Sequence, residues 1–178
     1  EQSDPLFADL FTDIDLYSNR LGAGDQKQSD TISSLIKEID KADLLNTDAD
    51  VLGNAYEYLI GQFASETGKK AGEFYTPQAV SKILTRIAIS GQEKRRGLSV
   101  DDPCMGSGSL LLNAKKYASE PEYIRYYGQE LMTSTYNLAR MNMFLHGITP
   151  ENQKLRNGDT LDEDWPTGEE TDFNMVLM

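Results

Sequence analysis

The sequence predicts an α/β fold, a parallel sheet with flanking helices preceded by a helical region, and its residue pattern predicts this in three ways. From Leu98 onward short apolar runs alternate with amphipathic stretches, as strands alternate with the helices that cover them. A glycine-bearing turn, Asp102-Pro103-Cys104-Met105-Gly106-Ser107-Gly108, joins the first such run to the first such stretch. Ahead of Leu98 the apolar residues recur at helical spacing.

The elements follow in order. Residues 1–48 read as helical and polar. Gly22-Ala23-Gly24 forms a loop, and Ser29 or Asp30 can cap a helix over Thr31–Asp40 with Ile32, Leu35, Ile36 and Ile39 on one face. A second helix is expected over about Asp50–Phe63, where Leu52, Ala55, Tyr56, Leu59 and Phe63 recur at helical spacing. Gly68–Gly72 interrupts it. A third helix is expected to start at Thr76-Pro77, with threonine as the cap, proline at the first helical position, and Val80, Ile83, Leu84 and Ile87 as its buried stripe. Then come a strand at Leu98–Asp101, a helix at Ser109–Tyr117, a strand at Ile124–Gly128 and a helix at Thr133–Leu145. A weak strand at Gln153–Arg156 and an apolar one at Phe173–Met178 complete the set. Met143 and Phe144 are expected in the core, and His146 as a helix cap or packing residue. A sheet ending at Met178 would leave an unpaired edge, so further residues are expected beyond it.

Composition narrows the partners. With 17 basic and 29 acidic residues the net charge is −12, which repels a phosphate backbone; this segment alone should bind DNA weakly. The single cysteine, Cys104, rules out an internal disulfide and fits a reducing, cytoplasmic location. One histidine and one cysteine cannot build a zinc cluster, so no metal site is expected. No apolar run approaches the ~20 residues of a membrane span. The start, Glu1-Gln2-Ser3-Asp4, lacks the basic-then-apolar pattern of a signal peptide.

The chemistry gathers at strand ends. Open α/β sheets bind nucleotide-like ligands beyond the carboxyl ends of their strands, which is where the turn holding Asp102, Gly106, Ser107 and Gly108 is placed. It lacks the Gly-Lys-Ser/Thr of a Walker loop, and Leu111 stands where a dinucleotide loop has its third glycine. The acidic Asp102 would repel a pyrophosphate but suits an ammonium group, so S-adenosylmethionine fits better than NAD or ATP. Glu130, closing the second strand, can accept both hydroxyls of a ribose. Asp159, in Asn157-Gly158-Asp159-Thr160, can accept a hydrogen bond from an adenine amine. Each piece alone also has a bland reading: a tight strand-to-helix turn, a solvated glutamate, an Asx turn.

Taken in order, Gly72-Glu73-Phe74-Tyr75-Thr76-Pro77, Asp102-Pro103-x-x-Gly106-Ser107-Gly108-Ser109-Leu110-Leu111, Gly128-Gln129-Glu130, residues 135–143 (Thr-Tyr-Asn-Leu-Ala-Arg-Met-Asn-Met) and Asn157-Gly158-Asp159-Thr160-Leu161 resemble the modification subunits of type I restriction–modification systems. Gly53–Ile60 is similar to the helix leading into their cofactor domain. Cys104 and Met105 stand where the family commonly has a threonine and a cysteine, and Met132 where it often has a polar residue.

The resemblance implies a Rossmann-like, S-adenosylmethionine-dependent methyltransferase fold acting on adenine N6 in DNA. Residues 1–48 would end an N-terminal helical domain, and 49–178 would be the first part of the methyltransferase domain. It implies that Phe74, Thr76 and Pro77 flank the methionine end of the cofactor, that Asp102, Gly106, Ser107 and Gly108 shape its main loop, and that Glu130 and Asp159 hold its ribose and adenine. The partners implied are DNA, a specificity subunit and a restriction subunit. The family's catalytic Asn-Pro-Pro-aromatic motif would begin after Met178, so no catalytic residue is assigned within these residues and this segment alone should not methylate. A non-catalytic methyltransferase-like scaffold, or a protein-glutamine or RNA methyltransferase, shares most of these features.

Overall fold

The computed structural model describes residues 7–12, 14–66, 75–162, 165–166 and 172–178. The chain divides into two compact units, Glu1–Asp48 and Ala49–Met178. The first is built around α1 (Asp25–Asp40). Its one buried α1 side chain is Gln28, whose amide donates to the carbonyls of Tyr17 (3.0 Å) and Gly22 (3.3 Å) and so ties the preceding turn to the helix. The helix begins six residues earlier than the expected Thr31. Its cap is Gly24, at φ 84°, with no side-chain hydrogen bond, so neither Ser29 nor Asp30 caps it. The polar run Asp25–Asp30 carries no apolar period to reveal it.

The second unit runs α2 (Ala49–Glu66), α3 (Gln78–Ile89), β1 (Ser99–Asp102), α4 (Ser109–Lys115), β2 (Arg125–Glu130), α5 (Thr133–Leu145), β3 (Gln153–Asn157) and β4 (Met175–Val176). The strands form a sheet of order β3-β2-β1-β4, with every pairing parallel. The register places Val100 beside Tyr126 and Met175, and Gly128 beside Leu155. Side chains alternate across a strand, so these positions share one face. On it the core closes against Leu110, Leu111, Ala114, Ala139, Met143 and Ile148. On the opposite face Tyr127 packs on Phe173 at 4.9 Å between ring centroids.

α3 faces the other way from its expected orientation. Ser81, Thr85 and Ile89 are buried, whereas Val80, Ile83, Leu84 and Ile87 are 37–69% exposed. A helical period shows that a stripe exists, not which neighbour it meets. Here the neighbour is α4, and the seam is polar: Asn113 Nδ2 donates to Ser81 Oγ at 2.5 Å and to Ser109 O at 3.1 Å. Thr76 makes no capping bond; the cap position is Pro77, whose carbonyl accepts from Val80 and Ser81. Substituting lysine at Ile83 or Ile87 should change stability by less than about 0.5 kcal/mol, while Ser81→Leu should cost roughly 1–3 kcal/mol. Thermal denaturation of the three variants checks this order.

α2 turns Gly53, Glu57, Ile60 and Ala64 inward. The match of Gly53 is steric: a Cβ there would lie 2.7 Å from the His146 ring. His146 is the C-terminal cap residue of α5 and is buried. Met143 is fully buried as expected, but Phe144 is 40% exposed. Among the described residues no helix is long and apolar enough to cross a membrane, and no group of three or more His, Cys, Asp or Glu could hold a metal ion.

Candidate functional site

Parallel strands all end on one edge, so the residues at those ends converge. Asp102 ends β1 and pairs in register with Gly128; Glu130 ends β2 and pairs with Asn157, which ends β3. Asp159 follows two residues later. Burial raises the Cys104 thiol above its ordinary value, and the charges of Asp102, Glu130 and Asp159 add to the rise.

Each carboxylate also shapes its own turn by accepting from the backbone N–H two residues on. Asp102 Oδ1 accepts from Cys104 (3.0 Å), Glu130 Oε1 from Met132 (2.8 Å) and Asp159 Oδ1 from Leu161 (2.9 Å). The turns are then tied to one another. Met105 N–H donates to Gln129 O (2.9 Å), Gly158 N–H to Glu130 O (3.0 Å) and Thr160 Oγ1 to Pro103 O (2.5 Å). Asn157 Nδ2 reaches Glu130 O at 2.7 Å and Leu131 O at 2.9 Å, while its Oδ1 accepts from Thr133 (2.7 Å).

The glycine turn follows from φ alone at two positions. Gly106 (φ 54°) and Gly108 (φ 77°) are left-handed, a region that side chains with a Cβ rarely enter. Gly108 caps α4, and its N–H closes the turn on Met105 O at 2.8 Å.

Beside this turn lies a cleft of about 220 Å³ lined by Tyr75, Thr76, Asp102, Gly106, Ser107 and Met178, among others. Of the expected site residues, it brings Thr76, Asp102, Gly106 and Ser107 together. Gly108, Pro77, Glu130 and Asp159 are not in its lining, and Phe74 lies outside the described residues. Tyr75, Cys104, Met105, Ser109, Leu110 and Met178 line it without having been singled out. Tyr75 was legible only as part of a motif. Its ring lies against α2, where a Cβ on Gly61 would be 3.3 Å away.

Asp102 dominates the electrostatics. It is 1% exposed, and its Oδ2 has no hydrogen-bond partner. Burial pushes its pKa from 3.8 up to about 7; the Cys104 N–H pulls the other way, and Asp101 and Glu130 add to the rise. Asp101, on the opposite face of the sheet, is raised to about 6 by burial. A buried acceptor without a donor costs stability unless a ligand supplies one. The surrounding charges are negative, so the ligand group that fits is a cation with N–H donors, and a phosphate does not fit.

The profile of the N-6 DNA Methylase family matches residues 47–178. The chain belongs to the N-6 DNA methylase family. Two relatives carry the match further along the chain. The methylase subunit of the type I restriction enzyme MpnII of Mycoplasma pneumoniae is 39% identical over 90% of this chain and 30% of its own length. The crystal structure of the methyltransferase subunit of a type I restriction–modification system from Streptococcus thermophilus is 59% identical, covers 98% of this chain and 37% of that one, and superposes with a TM-score of 0.90. The chain thus spans about a third of the length of these relatives. A Listeria monocytogenes protein described as a class I S-adenosylmethionine-dependent methyltransferase shares the fold (15% identity, 90% of this chain and 46% of that chain, TM-score 0.52). This N-6 DNA methylase chain therefore has the expected Rossmann-like methyltransferase sheet, with helices ahead of it.

Proposed function

We propose that this chain is the S-adenosylmethionine-binding part of a DNA adenine-N6 methyltransferase, the modification subunit of a type I restriction–modification system. The observation that carries the reading is Asp102 Oδ2, buried and unpartnered beside a left-handed glycine turn. The α-ammonium of the methionine moiety supplies the missing donor and the compensating charge. Gly106, Ser107 and Gly108 shape the loop around that moiety, with Phe74, Thr76 and Pro77 flanking it. Glu130 accepts the ribose hydroxyls and Asp159 the adenine amine. When bound, the cofactor supplies an electrophilic methyl group on a sulfonium.

Within these residues the reading assigns cofactor binding and no residue that stacks on or polarises a flipped-out adenine. Residues 1–48 end an N-terminal helical domain and 49–178 begin the methyltransferase domain. These 178 residues carry a net charge of −12, so the assembly depends on a specificity subunit for its basic DNA contacts, and a restriction subunit completes it in the cytoplasm.

Calorimetry tests the reading. S-adenosylmethionine should bind and NAD and ATP should not. Glu130→Ala should weaken S-adenosylmethionine and adenosine alike, by roughly 10–100-fold. The reading fails if NAD or ATP binds more tightly than S-adenosylmethionine, or if Glu130→Ala leaves both nucleosides unaffected.

The affinity should also depend on pH. The ammonium requires the ionised carboxylate, and Asp102 ionises at about 7 in the free chain. Binding should be tightest between that pH and about 8, where the α-amine itself loses its proton. It should fall by up to about tenfold per unit below about 7 until the bound carboxylate also takes up a proton, roughly one to three units lower. Isothermal titrations between those limits check the slope.

A further inference from the structure

We propose that Asn142 is a positioning residue for the cofactor loop: it fixes the orientation of the Ser107–Gly108 peptide plane. Asn142 sits inside α5, is fully buried, and lies 35 residues from the loop in sequence. Its Nδ2 donates to Ser107 O at 2.9 Å. The N–H on the other side of the same peptide, that of Gly108, donates to Met105 O at 2.8 Å. Both polar ends of one peptide plane are therefore held.

That plane needs holding because glycine follows it. A peptide preceding glycine can flip when the glycine changes the sign of φ, since no Cβ opposes either state. Gly108 stands at φ 77°, and the flipped plane would turn the Ser107 carbonyl away from Asn142. Removing the donor would leave a buried carbonyl unsatisfied in the present state and so favour the flip. Ser107 lines the cleft, so the flip would re-aim the groups offered to the cofactor.

Asn142 is itself held in place. Its carbonyl contacts His146 Nδ1 at 3.0 Å, Lys115 Nζ at the end of α4 donates to His146 O at 2.7 Å, and the His146 ring abuts Gly53 of α2. Its Oδ1 is buried without a partner, so the burial of this amide is explained by its donor.

The inference rests on the cofactor reading above, and its test separates the two. Asn142→Leu keeps roughly the size and loses the donor; Ile89→Ala removes core packing on α3 as a stability control. In titrations at a temperature where all forms are folded, Asn142→Leu should bind S-adenosylmethionine at least tenfold more weakly, and Ile89→Ala within twofold of the parent. In amide NMR spectra without ligand, Asn142→Leu should shift or split the Gly108 resonance, and Ile89→Ala should not. An unchanged Gly108 amide overturns the inference, as does affinity that falls equally in both variants. If the parent chain binds no S-adenosylmethionine, the cofactor reading falls, and the Gly108 amide still decides whether Asn142 sets the peptide plane.

Discussion

Asp102→Asn is expected to abolish S-adenosylmethionine binding and at the same time make the chain more stable. The two effects have one cause. In the free chain the Asp102 carboxylate is buried, its Oδ2 is unpartnered, and its pKa is pushed from 3.8 to about 7. A carboxyl whose folded pKa is raised destabilises the fold by the full amount above the folded value, by a shrinking amount between the two values, and not at all below the unfolded one. The shift corresponds to about 4 kcal/mol at neutral pH and above. Asparagine removes that charge, keeps an acceptor for the Cys104 N–H, and buries an NH2 group at a cost of roughly 1–3 kcal/mol. The net gain should be roughly 1–3 kcal/mol above pH 7 and should turn into a loss of about 1–3 kcal/mol near pH 4, where the parent carboxyl is neutral and only the buried NH2 cost remains. Binding should suffer in the opposite direction. Losing one partner of a buried ion pair costs about 3–5 kcal/mol, which is at least a hundredfold in affinity. Adenosine, which has no amine at that end, should bind the variant and the parent alike. Urea melts at pH 8 and pH 4, with titrations of both ligands, check each part.

Gly128→Val is expected to cause a large loss of stability. A Cβ at Gly128 would lie 2.5 Å from Met105 Sδ, 3.0 Å from Leu111 Cδ1 and 3.2 Å from Leu155 Cδ2. Met105 is 4% exposed and Leu111 fully buried, so neither side chain has open space to withdraw into. Overpacking of this kind costs about 3 kcal/mol when a branched side chain is forced in. Met105→Ala opens the space, so the double variant Gly128→Val with Met105→Ala should be more stable than the sum of the two single effects predicts. Strict additivity in denaturant melts would show that the glycine is not there to admit the loop methionine.

Much of this was legible because the site is built at strand ends. Asp102, Glu130 and Asp159 announce themselves as acidic residues closing or following strands, and the strands were visible as apolar runs separated by turns. The helix Thr133–Leu145 lies where its period places it. Other features depend on neighbours that no local pattern encodes. Val80, Ile83, Leu84 and Ile87 show a strong helical stripe, yet α3 docks through Ser81 and Thr85 because its partner offers Asn113. Asn142 carries no turn or cap signal in mid-helix; only the packing of α5 behind the loop gives it a role. The strand at Phe173–Met178 shortens to Met175–Val176, since Asn174 spends its side chain on the Ser99 N–H.

The ionisation of Asp102 itself is the most direct test. Following its carboxyl carbon by NMR through a pH titration, with and without S-adenosylmethionine, reports whether the missing donor arrives with the ligand. The free chain should titrate at about 7. With ligand bound, the pKa should fall by roughly one to three units, as an opposite charge at contact requires. A pKa that stays put, or rises, in the presence of bound ligand would contradict the account.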